Sequence, residues 1–153
     1  MFGAIKFAKI AGRKLGNILK GKKGKEALEK EVKDMGLDGQ GVDIHVDDDG
    51  KVTVKGKAVS QEMKEKIILA VGNVEGVGEV NDEADTDDDA APSVFHQVVS
   101  GDTLWAVSKT YLGKGSRYME IFEANRPMLS HPDKIYVGQV LRIPGGTAPS
   151  ASA

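Results

Sequence analysis

Three histidines, a run of aspartates and a glycine-rich turn are the features of this 153-residue sequence with the residue types to do chemistry. His45, His96 and His131 share no i, i+4 spacing and no common spacing to a carboxylate, so they do not make the ligand pattern of a zinc site. They read as surface residues, His45 on the polar face of a strand and the other two in a later part of the chain. The run Asp47-Asp48-Asp49-Gly50 invites comparison with a calcium-binding loop. Placing Gly50 at the sixth loop position puts His45 at the first and Gly56 at the twelfth, where carboxylates are required. The run therefore reads as a hairpin turn centred on Asp49-Gly50. Neither a Gly-x-Ser-x-Gly elbow nor a phosphate-cradling glycine loop is present, and without cysteine there is no thiolate nucleophile or cluster. Carboxylate pairs for glycoside cleavage stay open on sequence, but a β-α-α-β unit as small as the one read below offers little depth for a catalytic cleft, and no enzyme is expected.

Backbone chemistry is the other resource. Gly72, Gly76 and Gly78 fall within seven residues at the end of an apolar helical segment. A helix C-terminus carries carbonyls without intrahelical partners and a partial negative charge, both suited to a cation. Glycine supplies the backbone freedom to turn several carbonyls inward, and Gly12 and Gly16 give the N-terminal segment similar freedom. The same glycines would also serve simply to end a helix and make a turn, and the residues alone leave both readings open.

The elements that must position these groups follow from periodicity. Leu28, Val32 and Met35 recur at helical spacing within 25–37, closed by Gly36. Val42, Ile44 and Val46 alternate with polar residues, and Val52 and Val54 do so on the return strand. Ser60 is a helix N-cap with Glu62 in the first turn; the helix runs through Ile67, Ile68 and Val71 to Gly72-Asn73. A third strand is expected over 77–82. The six acids of 82–89 and the following Ala90-Ala91-Pro92 read as a solvated linker over 82–93, its core being 87–93. Beyond it a strand over 95–99, a helix capped by Asp102, a second helix ending near Asn125 and a strand over 140–143 give β-α-α-β. Residues 145–153 hold no core-forming side chain and read as a disordered tail. The fold class is α+β: a small α-β-β-α-β sandwich followed by a β-α-α-β unit.

The net charge of −2 conceals a division. Residues 1–25 carry eight basic and no acidic side chains, residues 26–93 seven basic and 19 acidic, and residues 94–153 six basic and four acidic. A basic arm beside an acidic body docks on it by opposite-sign attraction. Phe2, Ile5, Phe7 and Ile10 lie along that arm at spacing compatible with an amphipathic helix, which would cover the next domain or lie on an anionic membrane; the acidic body favours the former. Lysines and Arg13 interrupt every apolar run, so no secretory signal is read, and a cytoplasmic location is expected. There is no overall basic excess of the kind nucleic-acid binding requires.

Two blocks carry a family resemblance. Residues 98–104, VVSGDTL, with Asn125 and residues 135–144, IYVGQVLRIP, resemble a LysM domain. The Asp-Gly hairpin, the Ser60-Gln61-Glu62 helix start and the turn VGNVEGV at 71–77 resemble a BON domain. In this order behind a basic segment, they resemble the bacterial cytoplasmic potassium-binding proteins of the BON–LysM two-domain family. The resemblance covers nearly the whole chain, including Phe122-Glu123-Ala124-Asn125 and Pro127-Met128-Leu129, and departs at the acidic linker and the tail. It implies an arm at 1–24, a BON domain at 25–86 and a LysM domain at 94–144. It also implies a K+ sensor whose ion is held by main-chain carbonyls of Ala8, Ala11 and Arg13 in the arm and Gly72, Val74 and Val77 in the turn, Arg13 lending only its carbonyl. A monomer with an intramolecular BON–LysM contact is expected, its arm ordered by the ion. The alternative implied by LysM is binding of peptidoglycan-type N-acetylglucosamine polymers in a groove formed by Gly101, Asp102, Thr103 and Leu104 with the stretch from Met128 to Ile135. Trp105 and Tyr136 are the aromatics nearest that groove in sequence, although a single Trp at helical spacing reads first as core.

Overall fold

The computed structural model describes residues 3–7, 21–47 and 51–147. The chain divides into two compact units, 1–90 and 91–153. In the first, β1 (Gly3–Lys6), α1 (Gly21–Asp34), β2 (Val42–Val46), β3 (Val52–Ala58), α2 (Gln61–Gly72) and β4 (Glu79–Thr86) build a four-stranded sheet in the order β1-β4-β3-β2. β2 and β3 pair antiparallel, as an Asp-Gly hairpin requires, while the turn residues 48–50 lie outside the described residues. α2 is the crossover that lets β4 run parallel to β3. α1 packs on β2 and α2, and α2 packs on β3 and β4. The core lies between these layers, with Leu28, Val52, Val54, Ile67, Val71 and Val80 essentially inaccessible. Ser60 caps α2 as its sequence position indicates, its hydroxyl accepting the Met63 N–H at 3.0 Å.

Two segments depart from the expectations above. Gly3–Lys6 is a strand, not the start of a helix, and it pairs antiparallel with β4 from Gly3↔Asp82 to Lys6↔Glu79. Pairing with an otherwise unpaired strand edge satisfies backbone groups that four residues of helix would leave exposed. β4 also runs on to Thr86, through residues that composition assigns to a linker. Val80, Asp82 and Ala84 share one face of β4; Val80 and Ala84 are fully buried. Asp82 is tolerated there because the buried Lys64 of α2 reaches it, Nζ to Oδ2 3.1 Å, and also donates to the Ala84 carbonyl at 3.2 Å.

In the second unit, β5 (Val94–Gln97) and β6 (Val140–Ile143) form an antiparallel pair, with α3 (Leu104–Leu112) and α4 (Tyr118–Ala124) between them in sequence. Val98, Leu104, Val107, Ile121, Phe122, Leu129, Leu141 and Ile143 make one apolar core. The N-cap of α3 is Thr103, whose hydroxyl accepts the Ala106 N–H at 3.1 Å, one residue beyond the expected Asp102. Asp102 is engaged elsewhere, as described below. At the C-terminus Thr147 N–H donates to the Tyr111 carbonyl at 3.0 Å; residues 148–153 of the tail lie outside the described residues. No helix among the described residues is long and apolar enough to cross a membrane.

Candidate cation site at the end of helix α2

Helix α2 ends on Gly72, and Asn73 closes it by donating its N–H to the Leu69 carbonyl at 2.9 Å. The chain then turns through Val74 and Val77, both fully buried, with Val77 N–H on the Val74 carbonyl at 3.1 Å. That bond uses one of the two acceptor positions of the Val74 oxygen. Helix α2 has no basic residue in its last turn, so its negative end is not neutralised by its own side chains. The structure thus gathers Gly72, Val74 and Val77 into one tight turn at a helix C-terminus. Ala8, Ala11 and Arg13 lie outside the described residues.

What the sequence did not reveal is the role of Phe7. This residue follows β1 directly, donates its N–H to the Gly78 carbonyl at 3.0 Å and is 6% exposed. Its ring lies against Gly72 so closely that a Cβ at position 72 would collide with the ring atoms. Of the three glycines of the turn, only Gly76 has a positive φ, 101°. Gly72 is therefore required by close approach, and the conformational freedom read from the sequence applies to Gly76. Among the described residues no group of three or more His, Asp or Glu is placed to hold a metal ion.

The other sequence-derived site dissolves in part. Leu104 is 3% exposed and belongs to the core, and Ile135 packs against the same core. Thr103 is occupied as the α3 cap. Asp102 accepts the Val99 N–H at 2.9 Å and meets His96 Nε2 at 2.8 Å, so its carboxylate braces the loop rather than facing a ligand. His96 is itself held on its other side, Nδ1 to the Tyr111 hydroxyl at 2.8 Å, and is not the surface residue expected. Burial works to raise the Asp102 pKa, but the Val99 N–H and His96 outweigh it and hold the carboxyl below its ordinary value. The Tyr111 hydroxyl is pushed up by burial and then by the Asp102 charge. Gly101 is exposed with φ 91°, and Met128 is half-buried. Trp105, read first as core and otherwise as an aromatic face for sugars, is 55% exposed, its ring over Gly115 and 6.0 Å from that of Tyr118.

These two units are known modules. Residues 23–87 match the BON domain and residues 96–144 the LysM domain, so the fold is that of a two-domain BON–LysM protein. Potassium binding protein Kbp of Escherichia coli O6:H1 is 48% identical over 147 residues, covering 93% of this chain and 98% of that one. The chain belongs to the BON–LysM family of that protein.

Proposed function

We propose that this protein binds potassium through main-chain carbonyls of Gly72, Val74 and Val77 together with those of Ala8, Ala11 and Arg13, and acts as a potassium sensor. The observation that carries the reading is the seating of Phe7 on the α2–β4 turn. In sequence Phe7 directly precedes Ala8, the first of the proposed arm ligands. The name of the 48% identical relative supports the choice of ion. Potassium is large and weakly hydrated, and neutral carbonyl oxygens replace its water shell. The negative end of α2 adds attraction without a carboxylate, whose charge would favour a divalent ion. Bridging arm and turn, the ion stabilises the folded state it binds and orders the arm. The protein works as a binding protein, not an enzyme, and as a cytoplasmic monomer. Its arm is residues 1–24, its BON domain 25–86, its linker 87–93 and its LysM domain 94–144.

Isothermal titration of the full chain with potassium chloride, against sodium chloride at equal ionic strength, tests this reading. Potassium is expected to bind the more tightly, and removal of residues 1–20 to abolish the difference. Equal affinity for sodium would contradict the assignment. A second reading, glycan binding by the LysM domain, is favoured by the exposed Trp105 ring. It predicts retention on peptidoglycan beads that Trp105→Ala abolishes.

A further inference from the structure

We infer that Phe7 is the positioning residue that couples the arm to the ion site, an inference that rests on the potassium reading. Ala4 and Lys6 are exposed and Ile5 half-buried, so Phe7 is the one buried side chain among the described residues of the arm. The ion pair of Lys6 with Glu79, 3.2 Å, involves a lysine side chain 76% exposed and adds little hold. Strand β1 is only four residues long, so its seating depends on the apolar contact at its end. That contact falls between two carbonyl donors: Phe7 immediately precedes Ala8, and its ring rests on Gly72 itself. The Phe7 N–H on the Gly78 carbonyl ties the same residue to the other end of the turn. One aromatic contact therefore holds the described start of the arm against the turn that carries Gly72. Glycine is a poor helix former, and the backbone at position 72 does not need its left-handed freedom; what the position needs is the missing Cβ that admits the ring. Linkage makes the effect mutual: seating Phe7 raises ion affinity, and the ion holds Phe7 in place.

The test compares the full-length chain with Phe7→Ala, Phe7→Leu and Gly72→Ala, reading potassium Kd by calorimetry and the hydrogen exchange of β1 amides in potassium and in sodium. Val54→Ala, a fully buried core position of β3, serves as the control for general destabilisation. Phe7→Ala and Gly72→Ala are expected to raise the potassium Kd at least tenfold, Phe7→Leu to recover most of the loss, and Val54→Ala to lower the melting temperature with Kd unchanged. In the unaltered chain, potassium is expected to slow exchange of the β1 amides more than sodium does, a result that stands even should Phe7→Ala fail to fold. A Phe7→Ala chain with unaltered Kd, or β1 exchange indifferent to potassium, would overturn the coupling role while leaving ion binding intact. An unaltered chain that binds no potassium would overturn the ion reading and the coupling with it.

Discussion

Asn125 is 1% exposed and ties together three backbone groups: its amide donates to the carbonyls of Ile121 at 2.7 Å and Arg142 at 2.9 Å, and its oxygen accepts the Arg142 N–H at 2.9 Å. It thereby fastens the end of α4 to β6. Asn125→Ala strands buried donors and acceptors at about 1–3 kcal/mol per unsatisfied group. Urea unfolding of the LysM domain is expected to show a loss of that order. At Asp102 the expected effect is on pH. Its folded pKa is depressed, so its contribution is present above the unfolded value of about 3.9 and is lost as pH falls through the folded value. The melting-temperature gap between the native protein and Asp102→Asn should therefore shrink on acidification below about pH 4; a gap constant to lower pH would contradict the network. Asn125, Asp102 and Gly72 stand out in the sequence, but the reason for each does not. Their roles rest on partners 17, 6 and 65 positions away in the chain, Arg142, His96 and Phe7, which no local pattern encodes.

At the scale of elements, α1 to α4 and the β2–β3 pair were legible because apolar spacing and capping residues mark them. β1 and the second half of β4 were not. Four residues of a lysine-punctuated segment fit helix and strand alike, and the acidic composition of 82–86 masks the alternation Val80, Asp82, Ala84. What makes that alternation a strand is the buried Lys64, an aliphatic stem that packs and an ammonium that matches Asp82. Lys64→Met alone leaves Asp82 without its cation, and breaking a buried pair costs about 3–5 kcal/mol. The double variant Lys64→Met/Asp82→Leu should recover much of that loss in chemical denaturation. A double variant no more stable than the single would show that the charge pair is not what secures β4 to α2.

For the whole molecule, the division into a basic arm, an acidic body and a nearly balanced C-terminal part has a definite structural counterpart: β1 lies in the sheet beside the acidic β4. Charge led to the expectation that the arm meets the body; among the described residues, β1 meets it through backbone pairing and one buried phenylalanine. The proposed potassium ion would complete this junction, and the decisive experiment is thermal unfolding of the full chain across a potassium series, with sodium replacing potassium at constant ionic strength. Binding only the folded state at 100 times Kd stabilises by about 2.7 kcal/mol. Each kcal/mol raises the melting temperature of a domain this size by about 4–8 °C. A rise of that order is expected with potassium for the transition of the first unit, and a much smaller one with sodium; equal shifts with the two ions would contradict potassium binding at this junction.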